Sequence, residues 1–228
     1  MPDRLVLFYI DCTLIDAHGA GGRAILRSLR DVYGVEGELG DYSFHGRTDP
    51  GIISDLAELW GADGSGDRRV DECIARYVRL LGAEIAAGEV ETLPGIRELV
   101  TALAADRRAL VGLLTGNVEE GARLKLEPTG LLSLFKVGAY GSDSPLRADL
   151  PAVAVARAEA LSERRYAGKD VVVIGDTPAD VECGASLGVT AVAVATGRHS
   201  LDELAACRPD HLFADFSDWR AAYAAIMG

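Results

Sequence analysis

From residue 92 onward the chain alternates short, continuously apolar runs with stretches in which apolar residues recur every three or four positions. The runs at 109–114, 135–140, 170–175 and 190–197 are rich in Val, Ile, Leu and Ala and bounded by Gly, Asp or Asn. A weaker run lies at 211–214, and another, "LVLFYI" at 5–10, opens the chain. The stretches 93–104, 118–126, 150–162 and 177–188 read as helices, with Pro94 and Pro151 in first turns and Gly188 closing the last. Strands apolar at every residue are buried on both faces, so their alternation with helices predicts a doubly wound α/β core around a parallel sheet.

Between residues 15 and 90 the rhythm changes. Only helical patterns occur there, at 20–33, 50–60 and 68–87, separated by Gly- and Asp-rich connections such as "GADGSGD" at 61–67. A βαβ crossover needs one helix and two short loops, so this much chain is an insertion. The expected organisation is an α/β core of residues 1–14 and 91–228 with a helical cap domain at 15–90. There is no internal repeat and no low-complexity tract.

Composition narrows the partners. The net charge of −12 and a pI near 4.8 disfavour nucleic acid, whose phosphate backbone demands clustered Lys and Arg. No apolar run approaches the roughly 18 residues of a membrane span, and the expectation is a cytoplasmic protein, monomer or homodimer. Cys12, Cys73, Cys183 and Cys207 have neither CxxC nor zinc spacing and are read as reduced thiols.

An open parallel sheet binds ligands beyond the carboxyl ends of its strands. Four segments carry polar groups to that edge: Tyr9-Ile10-Asp11, Thr115-Gly116-Asn117, Ser142-Asp143 with Arg147 beyond, and Asp176-Thr177 with Asp180. Singly, Thr115 or Asp176 could be a helix N-cap; together they form a convergent polar site. Asp176 and Asp180, four apart, could face one side of a helix and offer hard oxygen ligands to Mg²⁺. Thr115 and the N–H groups after it could take phosphate oxygens, and Arg147 would add positive charge.

The segments "LVLFYIDCTLID", "LLTGN", "RADLP" and "VVVIGDTPADVECG", in this order, resemble the four motifs of the haloacid dehalogenase (HAD) superfamily, in its phosphoglycolate-phosphatase-like branch. The resemblance implies Mg²⁺-dependent hydrolysis of a small phosphorylated metabolite through an aspartyl-phosphate. It makes Asp11 the general acid/base, with its backbone carbonyl a metal ligand. Thr115 binds the phosphoryl group with Gly116 and Asn117 close by, Arg147 takes the place of the usual cation, Asp176 is a metal ligand and Asp180 holds the metal's surroundings. In the insertion, "FHGRTDPGI" looks like a substrate-facing loop, with His45, Arg47 and Thr48 as selectivity candidates.

The first motif departs from the family pattern Asp-x-Asp-Gly-Thr. Tyr9 stands where the nucleophilic aspartate belongs, and Cys12 replaces the turn glycine. A phenol is mostly protonated at neutral pH and ligates Mg²⁺ poorly, and its ring would occupy phosphoryl volume. Losing a covalent nucleophile costs on the order of 10⁴–10⁶ in turnover, roughly 5–8 kcal/mol of barrier. The expectation is a crippled phosphatase. The alternatives are a pseudoenzyme that senses a phosphorylated metabolite or engages a protein partner, and a chemistry in which Tyr9 or Asp11 is the nucleophile.

Overall fold

The computed structural model describes residues 2–62, 67–186 and 188–228. Its centre is a six-stranded, wholly parallel sheet of β1 (Arg4–Phe8), β4 (Ala109–Leu114), β5 (Val137–Ala139), β6 (Val171–Gly175), β7 (Thr190–Val194) and β8 (His211–Phe213). The spatial order β5-β4-β1-β6-β7-β8 reverses direction between β1 and β6, which places the ligand crevice of an open sheet beyond those two strands. A two-stranded antiparallel pair, β2 (Ile15–Asp16) and β3 (Glu91–Thr92), ties together the two ends of the helical insertion.

Each central strand is buried on both faces, as its unbroken apolar composition requires. In β1 and just beyond it, Val6, Phe8 and Ile10 join one apolar cluster while Leu5, Leu7 and Tyr9 join another on the opposite face. The first cluster continues into the inserted helices α1 (Ala20–Tyr33), α2 (Asp49–Leu59) and α3 (Asp67–Ala87), through residues such as Ile25, Leu29, Ile53 and Leu81. The second lies under α6 (Leu150–Ser162), which contributes Leu150, Ala154 and Ala158. The remaining helices are α4 (Ile96–Ala105), α5 (Glu119–Leu126), α7 (Pro178–Ser186), α8 (Leu201–Ala206) and α9 (Trp219–Met227).

The expected doubly wound α/β core is present. Pro94 does not open a helix: α4 begins at Ile96 behind Gly95, whose φ of 72° admits no side chain cheaply, so the proline sits in the turn before it. The helices α8 and α9 lack an apolar run long enough to read in advance and are fixed by caps, a Ser200/Glu203 capping box and Asp218 respectively. Gly188 has φ of 65° just past α7, but its neighbour 187, like 63–66 of the expected "GADGSGD" connection, lies outside the described residues. Among the described residues no helix is long and apolar enough to cross a membrane, and no disulfide joins the four cysteines.

Cys12 follows β1 with φ of 57°, a left-handed conformation that costs a residue with a Cβ about 1 kcal/mol. Cys12→Gly should therefore raise unfolding stability by about 0.5–1 kcal/mol, glycine's greater freedom in the unfolded chain offsetting part of the relief. Urea denaturation of the two chains measures this, and equal or lower stability of the variant contradicts the strain.

Candidate active site

The ends of β1, β4 and β6 open onto a cavity of about 380 Å³ whose wall includes Tyr9, Asp11, Thr115, Asn117, Arg147 and Asp176. Asp11, half-exposed, accepts from the Lys125 ammonium at 2.7 and 2.8 Å and from the Asn117 amide at 2.6 Å. Burial raises the Asp11 carboxyl, but Lys125 and Asn117 outweigh it and hold the group below its ordinary range. Lys125 Nζ, itself buried, also donates to Asn117 Oδ1 at 2.7 Å. Asn117 donates through its backbone N–H and its amide to Thr115 Oγ1, leaving the threonine hydroxyl proton to give elsewhere.

Asp176 is 3% exposed. Its Oδ1 accepts from Thr13 at 3.0 Å, and its Oδ2 is buried with no hydrogen-bond partner among the described residues. Burial first, and then the nearby Asp180 charge, push its carboxyl up to about 7. Asp180 does not share the face expected of it. Its side chain folds back over the start of α7, where Oδ2 accepts the N–H groups of Asp176 and Thr177 at 3.1 and 3.0 Å and Oδ1 accepts from Arg147. An acidic side chain at a helix start satisfies otherwise orphaned N–H groups, and that local reward overrides the i,i+4 geometry.

The Arg147 guanidinium lies 4.0 Å from the centroid of the Tyr9 ring, and its Nε is buried without a partner. The Tyr9 ring does not fill the cavity as anticipated; it is packed into the apolar cluster under α6, 3% exposed. Burial raises its hydroxyl well above the ordinary tyrosine range even though Arg147 pulls the other way. The phenol is thus uncharged and poorly nucleophilic at neutral pH. Burial and the Asp176 and Asp11 charges push the Cys12 thiol to about 12, so it is no thiolate nucleophile either.

The loop 45–49 meets this edge from the insertion. His45 and Arg47 border the cavity, but the Arg47 guanidinium is paired with Asp55 at 2.5 Å and lies over the Tyr42 ring. Partial burial, with the Arg198 and His199 charges, lowers the His45 imidazole. Thr48 is buried and turned from the ligand space: it caps α2 through Gly51 N–H and donates to the Pro145 carbonyl at 2.7 Å. Beside it, Asp49 N–H donates to the Gly116 carbonyl and Asp49 Oδ2 accepts Val118 N–H, 2.8 and 2.9 Å. Arg47 carbonyl oxygen lies where a Cβ on residue 116 would stand, which explains the glycine. Lys125 and Asp49 escaped the sequence reading; the available signal was a lysine at a buried position of α5, one turn after Gly121 and beside Leu126.

A Mg²⁺ ion finds a poor donor set in this chain. The buried orphan oxygen of Asp176 suits a cation, but Tyr9 offers a neutral phenol where a second carboxylate is needed, and both Asp180 oxygens are engaged. Among the described residues no three His, Cys, Asp or Glu side chains gather to hold a metal. Of the expected set, the Asp11 side chain is paired with Lys125 and Asn117 and both Asp180 oxygens are engaged, while Asp176 keeps one oxygen unpaired.

Residues 152–219 match the HAD-hydrolase-like family model. No curated protein sequence matches the chain. Three similar solved structures are CbbY from Rhodobacter sphaeroides in complex with phosphate (18% identity, TM-score 0.74, covering 96% of each chain), a predicted phosphoglycolate phosphatase from Haemophilus somnus (19%, 0.71, 97% of this chain and 99% of that one), and a predicted phosphatase from Clostridium acetobutylicum (19%, 0.72, 98% and 99%). The resemblance seen in the motifs is thus matched by the whole fold and, over residues 152–219, by the family's sequence pattern.

Burial, only partly offset by Lys125 and the Val118 N–H, pushes the Asp49 carboxyl up to about 6. A carboxyl raised in the folded state holds its proton more tightly there than in the unfolded chain, so stability is lost as pH rises from about 4 through about 6. Asp49→Asn should remove that slope, worth roughly 1–3 kcal/mol. Urea denaturation across this range at matched ionic strength reads it; an unchanged slope in the variant places the titration elsewhere.

Proposed function

We propose that the cavity is a phosphate-monoester site of the HAD-phosphatase kind that retains binding and has lost nearly all turnover. The observation that carries the proposal is the juxtaposition of Asp11, Thr115, Arg147 and Asp176 at one sheet edge, with an uncharged, core-packed tyrosine at the nucleophile position. The relatives' names add phosphoglycolate phosphatase and a phosphate complex to the same fold. The substrate class is a small phosphorylated metabolite, and the loop 45–49 with the helices behind it acts as the cap, His45 and Arg47 bordering the leaving group. Residues 15–90 form that cap and the rest of the chain the core.

Each remaining residue keeps a definable task. Thr115 donates its hydroxyl proton to a phosphoryl oxygen, and the Gly116 backbone lies beside it. Asp11 stands where a proton must pass to and from the leaving oxygen, but Lys125 and Asn117 hold it ionised, so at neutral pH it starts as a base and not as an acid. Arg147 orients the phosphoryl group. In the family Mg²⁺ supplies charge neutralisation at the transferred phosphoryl; its dependence belongs to a chain that bears a carboxylate at position 9 beside Asp176.

Asp to Tyr and Gly to Cys each need one base change, so an active parent with aspartate at 9 and glycine at 12 lies close in sequence. Tyr9→Asp should raise phosphate release from a panel of small phosphomonoesters with Mg²⁺ at least about 10³-fold over this chain, short of the full loss because the Cys12 strain persists. No rise on any panel member overturns the proposal.

A further inference from the structure

The walls of the cavity do not favour a second anion. They carry four carboxylates, Asp11, Asp16, Asp49 and Asp176, and the Lys and Arg cations among them are each committed, Lys125 to Asp11, Arg147 to Asp180 and Arg47 to Asp55. The rim differs, because the segment after β7 brings a further arginine to it. Thr196 donates to the Cys12 carbonyl at 2.6 Å, and a Cβ at Gly197 would collide with the Asp176 carboxylate, so this turn is pressed onto the strand ends that form the site. The next residue, Arg198, crosses to the inserted segment and donates to Ser43 Oγ at 3.3 Å, the same oxygen that accepts the His45 N–H at 3.3 Å. Arg198 thereby stands beside His45, a residue of the cavity wall, and its charge is among those that lower the His45 imidazole.

Arg198 has no carboxylate partner among the described residues. Its hydrogen bond goes to a neutral hydroxyl, and the exposed guanidinium has donors to spare. The acids that act on this rim are already engaged. Glu203 feels the His199 and Arg198 charges but closes the start of α8 by accepting from Ser200, while Asp11 and Asp180, which act on His45 from the cavity side, are held by Lys125 and Arg147. On a chain of net charge −12, a guanidinium fixed at the edge of a phosphate site without a carboxylate reverses the field locally and draws an anion. Its planar fork takes a carboxylate or a phosphate through two parallel N–H bonds.

We propose that Arg198 is a specificity-determining residue that holds a second anionic group on the leaving group of the phosphate ester. The proposal rests on the phosphate-site reading above and narrows its substrate class, from any small phosphomonoester to those that carry another negative charge.

The test is calorimetric titration of the intact chain, at neutral pH and with excess Mg²⁺ throughout, with four phosphate esters on one three-carbon chain. Their far ends are a hydroxyl (3-hydroxypropyl phosphate), an ammonium (3-aminopropyl phosphate), a carboxylate (3-phosphooxypropanoate) and a second phosphate (propane-1,3-diyl bisphosphate). At least one of the two doubly anionic esters should bind about fivefold tighter than the hydroxyl ester, the tighter of them naming the group, and the ammonium ester should bind weakest. Arg198→Gln, a change at an exposed position, should bring the anionic esters down to the hydroxyl ester, and Arg198→Lys should restore part of the preference. Anionic esters no tighter than the hydroxyl ester in the unaltered chain overturn the proposal, as does a preference that survives in Arg198→Gln. Equal weakening of all four esters in that variant also overturns it, because it marks an arginine that only holds the loop through Ser43. Failure of every ester to bind the unaltered chain is a different result, and brings down the phosphate-site reading itself.

Discussion

The site is organised around the ion pair of Arg147 and Asp180. One Asp180 oxygen holds the guanidinium and the other closes the start of α7, so a loop after β5, the end of β6 and the ring at the end of β1 are fixed by a single carboxylate. The pair is almost wholly withdrawn from water, 15% and 3% exposed. Removing one partner of such a pair typically costs about 3–5 kcal/mol, chiefly because the other charge is left buried and unpaired. Arg147 is thus held at the cavity edge both by the Asp180 carboxylate and by the face of the Tyr9 ring.

A second set of polar contacts joins the inserted helices to the sheet edge. Thr48, Asp49 and the Gly116 and Pro145 carbonyls form buried hydrogen bonds between the two segments, and Lys125 reaches across to Asp11 from α5. These bonds pin the loop 45–49 over the cavity in the conformation described. They also explain why the loop's threonine and aspartate serve position and not ligand contact: each spends its side chain on a helix start, Thr48 at α2 and Asp49 at α5.

The fold was legible because its signal is local. Runs such as Val171–Gly175 are short, apolar and sharply bounded, and helix periodicity fills the gaps between them. The site was legible as far as position along strands allowed: Asp11, Thr115, Arg147 and Asp176 follow strand ends, and the topology gathers strand ends. Side-chain direction was not legible. That Asp180 turns back to α7, that Arg47 turns to Asp55, and that the Tyr9 ring enters the core under α6 all depend on partners far away in sequence. Lys125 was hidden for the same reason, since a lysine on a short helix reads as solvated until a distant Asp11 is seen to pair with it.

The central claim is that position 9 carries an inert phenol and that no other group has taken over the nucleophile's task. It is tested most directly by looking for the covalent intermediate. The chain is incubated with acetyl phosphate and Mg²⁺, quenched in acid, and its intact mass and peptides are measured, with the Tyr9→Asp chain as the positive control. The account predicts an unmodified chain beside a phosphorylated control. A phosphoryl group on Tyr9 or Asp11 of the unaltered chain would contradict it.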